Sequence, residues 1–247
     1  MNKFIATGLA GMLGVVALTA AAEESSPHAF SGNVALSTDY VYRGQSQTGN
    51  NPAVSGGFDY TYSTGGFADA YLGTWASNIN FGGSMELDWY GGLRGALGDT
   101  GLDWDVGFLY YQYPGQGQGD ELDFVEGHVG LSYTFADVST EPTVGFKVHW
   151  TPDWQTNADD GVYYDGNLGL TLPYDIGLAF HAGYQEVDDN ATWGTPDWFE
   201  WNVYLSKAVG PFTLAVGYHD TDLSKGECFG GDNICDGRVM FKVSAGF

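Results

Sequence analysis

From Gly237 to Phe247 the side chains alternate with a period of two. Val239, Phe241, Val243, Ala245 and Phe247 fall on one face, and Arg238, Met240, Lys242 and Ser244 on the other. Successive residues of a β-strand point to opposite sides, so this ribbon has one oily and one ionisable surface. At membrane depth the oily side can face hydrocarbon only if every backbone N–H and C=O is paired inside the protein, which forces the sheet to close on itself. Ending on an aromatic residue, the segment reads as the closing strand of an outer-membrane β-barrel and is expected to pair with an early strand.

Glycine supplies 38 of 247 residues and aromatics 16% of the chain, with no collagen period. Strands with aromatic girdles and tight turns have this composition. The only long apolar run, Phe4 to Leu18, follows Lys3 and precedes Ala20-Ala21-Ala22. It falls short of the roughly 20 residues of a spanning helix, and it matches a secretory signal cleaved after Ala22. Residues 1–22 are therefore expected to be a signal peptide and residues 23–247 a single barrel domain. Glu23 stands where a lipid-anchored chain would carry cysteine.

The 31 acidic side chains outweigh 8 Lys and Arg, for a net charge of −23. That excess excludes nucleic acid and anionic lipid surfaces as partners, since both demand basic patches, and it suits contact with cations. Two cysteines, Cys228 and Cys235, are the whole thiol complement of a chain expected to be exported, so a disulfide between them is expected. With no histidine between or just after them, a zinc site is the poorer reading.

Runs alternating with period two, bounded by Gly, Pro, Asn or Asp, predict twelve strands, with ten or fourteen as alternative counts. They span 30–43, 52–62, 67–77, 84–94, 102–112, 122–135, 142–150, 162–172, 175–186, 197–207, 211–220 and 237–247. Most are about eleven residues, the length of a tilted spanning strand. Longer connections at 44–51, 78–83, 113–121, 151–161, 187–196 and 221–236 interleave with shorter ones, a contrast that fails only between 78–83 and 95–101. The pattern predicts an all-β, closed antiparallel transmembrane barrel with short periplasmic turns and longer extracellular loops. The long segments hold eleven acids, Asp120 among them, and one base, Lys225, which describes first of all a solvated acidic surface.

Turning the apolar parity outward exposes residues such as Val34, Leu36, Tyr40, Val54, Phe58, Trp89, Phe108, Val129, Phe146, Phe180, Trp201 and Val216 to lipid. The opposite parity lines the lumen. Its expected members are Asp39, Arg43, Asp59, Glu86, Asp88, Asp103, Asp105, Glu126, His128, Lys147, His149, Asp165, Glu200, Arg238 and Lys242. Ionisable groups at membrane depth must line water or pair with one another. The third strand is ambiguous, because Asp69, Tyr71 and Trp75 share one parity and Ala70 and Leu72 the other.

The run Ser37-Thr38-Asp39-Tyr40-Val41-Tyr42-Arg43-Gly44-Gln45-Ser46, followed by Pro52-Ala53-Val54, Gly57-Phe58-Asp59-Tyr60 and Gly73-Thr74-Trp75-Ala76-Ser77-Asn78-Ile79, resembles the TorF-family porins of Gram-negative bacteria. The resemblance implies an outer-membrane barrel that passes solutes and supplies no residue roles. Physically, Arg43 is expected at the lumen end of the first strand, where its fork would pair with Asp39 and Asp59, as a strut or as a solute-selecting group. Gly44 would serve the turn.

No G-x-S-x-G elbow is present, and His128, His149, His181 and His219 all fall on the inward parity, so no catalytic residue is assigned. His128 and His149 fall on neighbouring strands with Glu126 and Lys147, which leaves a lumen metal site open as the poorer reading beside hydrogen-bonded wall histidines, while the pairs Asp159-Asp160 and Asp188-Asp189 lack the spaced ligand pattern of a calcium site; no cofactor is expected. The function expected is passive diffusion of small hydrophilic solutes with a preference for cations. The alternatives are a non-conducting surface or structural barrel and, behind it, a lipid-modifying barrel enzyme. The partners expected are outer-membrane lipid, periplasmic chaperones and the barrel-assembly machinery.

Overall fold

A computed structural model describes residues 26–119 and 121–247 of the chain; the expected signal peptide lies outside the described residues, as does Asp120. In chain order the strands are β1 (His28–Ser37), β2 (Val41–Tyr42), β3 (Gln45–Ser46), β4 (Ala53–Tyr62), β5 (Asp69–Asn78), β6 (Met85–Ala96), β7 (Leu102–Gln112), β8 (Phe124–Thr134), β9 (Thr143–Thr151), β10 (Gly161–Leu172), β11 (Ile176–Val187), β12 (Trp198–Val209), β13 (Phe212–Thr221) and β14 (Arg238–Gly246). All but β2 and β3 join one closed antiparallel barrel of twelve strands, each paired with its neighbours in sequence, and β2 and β3 form a separate two-stranded hairpin.

Closure is made by β1 and β14, paired from Asn33↔Gly246 to Ser37↔Lys242. Backbone bonds in both directions between Gly32 and Phe247, at 2.8 and 3.0 Å, extend the seam. The barrel thus has no free sheet edge, as a lipid solvent requires.

One end of the barrel carries the segments 38–52, 79–84, 113–123, 152–160, 188–197 and 222–237; the other carries 63–68, 97–101, 135–142, 173–175 and 210–211. The length contrast holds except at 79–84, which is shorter than the eight-residue turn 135–142.

The outer surface is apolar: Val34, Leu36, Phe58, Val129, Phe146, Val216, Val239 and Phe241 are all exposed. The third strand takes the parity that sends Leu72 outward, 55% exposed, and Trp75 inward, 6% exposed. Tyr90 from β6 covers the gap at Gly73, where an added Cβ would lie 2.3 Å from its ring.

The first strand departs from the 30–43 expectation. β1 stops at Ser37, and residues 38–52 turn into the barrel and carry the hairpin with them. Tyr40, expected to face lipid, instead lies inside, its ring tilted edge-on to Trp75 with ring centres 5.1 Å apart and its hydroxyl donating to Glu86 at 2.5 Å. A phenol hydroxyl gains a carboxylate acceptor inside that hydrocarbon would deny it.

Candidate functional site

The inward segment is built around Asp39. Its Oδ1 accepts from Ser46 Oγ and Thr48 Oγ1 at 2.6 Å each, and its Oδ2 accepts from Arg238 Nη1 at 2.7 Å. One carboxylate thus ties both ends of the hairpin to each other and to β14. The tip is Arg43-Gly44, with φ of 45° and 80°. Positive φ at both turn residues gives a hairpin the twist of its strands, but for an arginine it costs roughly 1 kcal/mol. Gly44 has no alternative: besides its φ, an added Cβ would sit 2.4 Å from Thr221 Cγ2 and 2.8 Å from Glu200 Cβ.

Arg43 is 5% exposed and does not pair with Asp39 or Asp59 as the sequence led one to expect. Its Nη2 donates to Glu126 Oε2 at 2.7 Å and its Nη1 to Gln185 Oε1 at 2.6 Å. Asp39 is taken by the hairpin hydroxyls and Arg238, while Asp59 accepts from the Tyr90 hydroxyl at 2.6 Å. The guanidinium carbon lies 4.1 Å from the ring centre of Tyr163, 4.8 Å from Tyr42 and 5.3 Å from Trp154. Two acceptors on separate terminal nitrogens, together with the aromatic faces, form a receptor for a planar cation.

The receptor is held in turn. Gln185 donates its own amide to the carbonyls of Val162 and Glu186, at 3.2 and 2.9 Å, which fixes its oxygen toward Arg43. Tyr111 donates to Glu126 Oε2 at 3.1 Å and stacks on Phe124 with ring centres 4.3 Å apart. Trp198 Nε1 donates to the Arg43 carbonyl at 2.8 Å. Above, rings continue from Phe124 through Trp154 and Trp193 to Phe229, linking the segments 152–160, 188–197 and 222–237 across the mouth.

Below this level runs a belt of wall charges. Asp105 meets Lys147 and His128 at 3.1 Å each and accepts from Tyr71 at 2.8 Å. His181 lies 3.4 Å from Asp165 and 3.1 Å from Glu200, and Tyr163 donates to Glu200. His149 Nδ1 stands 3.5 Å from the Glu126 oxygen that holds Arg43. Strand parity also turns Asp59, Glu86, Asp88, Asp103, Arg238 and Lys242 inward; of the fifteen lumen residues expected, only Asp39 and Arg43 come from the hairpin segment rather than the wall. Wall side chains toward the long loops, such as Glu86, Glu126, Tyr163 and Gln185, are buried, whereas Asn167, which donates to Asp165 and pairs with His181, is exposed on the inward parity. Cys228 and Cys235 are disulfide-bonded in the segment 222–237. Among the described residues no group of three or more His, Cys, Asp or Glu is arranged to hold a metal.

Gln185, Tyr163, Tyr111 and Trp198 carry the site and were not singled out from the sequence, while Trp154 stood out there only as an aromatic residue of an external loop. Parity alone places Tyr163 and Gln185 inward beside Asp165 and His181. The structure shows what that placement requires: Tyr163, paired with Gln185, leans over Gly183, where an added Cβ would meet its hydroxyl at 2.1 Å.

Fold and lumen together define a class: twelve-stranded barrels of the outer-membrane porin type. Within it, the chain belongs to the Gcw_chp family, described as bacterial proteins of unknown function, whose family model matches residues 21–247. It is similar in structure to a KdgM porin at TM-score 0.57 and 10% identity, over 88% of this chain and 98% of that one. A NanC porin aligns at TM-score 0.51 and 10% identity, over 89% and 99% of the two chains. The COG4313 outer membrane channel from Pseudomonas putida F1 aligns at TM-score 0.51 and 10% identity, over 88% and 94%. At such identities the likeness is one of fold. No curated protein matches the chain in sequence. None of these matches is to the TorF family itself, and that resemblance rests on the motifs of residues 37–79 and, more loosely, on the length and the terminal strand.

Proposed function

We propose that this chain is an outer-membrane channel of the porin type, carrying small hydrophilic solutes by passive diffusion and favouring cations. The observation that carries the reading is the sorting of its two surfaces: an apolar belt outside, and inside it a wall on which carboxylates outnumber bases. Asp59, Glu86, Asp88, Asp103, Asp105, Glu126, Asp165 and Glu200 face Arg94, Lys147, Arg238 and Lys242. A lumen with that balance lowers the potential for cations and raises it for anions. The short turns would then face the periplasm and the acidic loops the exterior, after export through a cleaved signal peptide and insertion by periplasmic chaperones and the barrel-assembly machinery. Outer-membrane lipid is its solvent.

Planar-bilayer reversal potentials in a salt gradient test the proposal. A reversal potential on the cation side is expected, and neutralising Asp103 and Asp105 together should move it toward zero; anion preference in the wild type overturns the reading. The sealed long-loop half favours a second reading, a barrel that binds at its mouth and does not conduct. Purified protein that gives neither conductance nor liposome swelling, with Arg43 either present or replaced, would establish that second reading in place of the first.

A further inference from the structure

The groups around Arg43 are supplied almost wholly by the barrel. Glu126 comes from β8, Gln185 from β11, Tyr163 from β10 and Trp154 from the segment 152–160; the hairpin adds only Tyr42 and the guanidinium itself. The acceptors are also pre-oriented without the hairpin, Gln185 by the two strand carbonyls and Glu126 by Tyr111. The tethered occupant fits this receptor imperfectly. Arg43 Nε finds no acceptor, and the arginine backbone sits at φ 45° to reach the site.

We propose that this pocket is a subsite of the lumen for planar guanidinium-type cations, occupied here by the chain's own Arg43 and open to a solute bearing that group when the hairpin withdraws. The chemistry is specific. A carboxylate and an amide oxygen meet two different terminal nitrogens of one planar cation while Tyr163 covers its face, an arrangement that a spherical metal ion or a tetrahedral ammonium cannot fill. Burial sharpens the preference, because the cation that enters must be one that surrenders its hydration readily, as guanidinium does. The proposal rests on the channel reading for the route by which a solute arrives, but the pocket itself can be tested without conduction.

The experiment uses the full chain carrying Arg43→Ala in detergent, with thermal midpoint and tryptophan fluorescence as readouts. The additives are methylguanidinium chloride and, at equal concentration, methylammonium chloride and sodium chloride. Methylguanidinium is expected to raise the midpoint of Arg43→Ala and shift its fluorescence saturably, with half-saturation on the order of 1–10 mM, while the other salts do not. The wild type, its pocket filled, should show no such shift. Adding Glu126→Gln should weaken the effect about tenfold or more, the worth of a charge-assisted hydrogen bond. Equal responses to all three salts overturn the proposal. Should Arg43→Ala refold in low yield, the folded fraction recovered in each salt is compared: recovery with methylguanidinium alone supports the site, and equal recovery overturns it. Bilayer recordings separate the two ideas. Binding without conductance ends the channel reading and leaves the pocket, and conductance without a guanidinium-specific shift does the reverse.

Discussion

A buried guanidinium that gave up water must be repaid by its partners, and among the described residues the Arg43 side chain has two hydrogen-bond acceptors, Glu126 and Gln185. Breaking such a pair from one side leaves an uncompensated charge, which costs about 3–5 kcal/mol, more than the whole pair contributes over an apolar replacement. Glu126→Leu should therefore drive the hairpin out of the lumen rather than unfold the barrel, whose ladders do not depend on it. Trypsin reports this directly, because Arg43-Gly44 is the one tryptic bond in the segment 38–52. Wild-type protein is expected to resist cleavage there and Glu126→Leu to be cut, with both migrating as folded barrels. Gly44→Ala tests the same joint from the other side. Its φ of 80° and the 2.4 Å approach to Thr221 should cost about 1–3 kcal/mol. Cleavage as slow as in the wild type would show that the tip tolerates a side chain and that the argument from close approach fails.

Among the elements, the hairpin is latched from above by the segment 222–237. Ser46 N donates to the Ile234 carbonyl at 2.9 Å and Asn50 Nδ2 to Asn233 Oδ1 at 2.8 Å, both beside Cys235. Reducing Cys228–Cys235 releases a short loop worth about 2–3 kcal/mol of chain entropy. Reduction should speed tryptic cleavage at Arg43 while lowering the barrel's thermal midpoint by no more than the roughly 5–10 °C that this entropy accounts for; a larger drop would mean that the clip supports the wall as well. Acid acts on the same rim. The Thr192 amide and hydroxyl donate to Asp189, and those of Ser224 donate to Glu227, which holds both carboxyls below the usual carboxylate range. A lowered folded value stabilises above the unfolded one, near pH 4, and the support is lost as pH falls through the lower folded value. Protection of the Thr192 and Ser224 amides, measured relative to their intrinsic exchange rates, should persist down to about pH 4 and fall only below it. The twelve strands were legible because lipid and lumen impose opposite chemistry on alternate residues. The inward hairpin was not, because Tyr40 and Tyr42 fall on the same parity as Val34 and Leu36 and so prolong the alternation of β1 past Thr38. What turns them in is a set of partners far along the chain, Glu86, Tyr111, Glu126 and Gln185, whose positions no local pattern carries.

For the whole molecule, the two halves of the lumen differ. Around Arg43 the long-loop half is filled by rings and paired charges, while the short-turn half, past Asn167, is open and polar. Apart from the ring cluster that fills the long-loop half, the apolar surface of the barrel lies on its outward band, so that band should be intolerant of charge and the short-turn half of the lumen tolerant. Val129, at the middle of β8 and 58% exposed, is the place to ask. Val129→Arg should cost about 2–4 kcal/mol in lipid, read from the folded fraction after reconstitution, whereas Asn167→Arg should cost little. Nitroxides on Val129 and Val243 should collide with oxygen and be shielded from a water-soluble nickel chelate, and one on Asn167 should show the reverse. If all three sites report water, the apolar belt is covered by something other than lipid. The barrel would then stand, but membrane insertion, the channel and the route to the Arg43 pocket would all lose their physical basis at once.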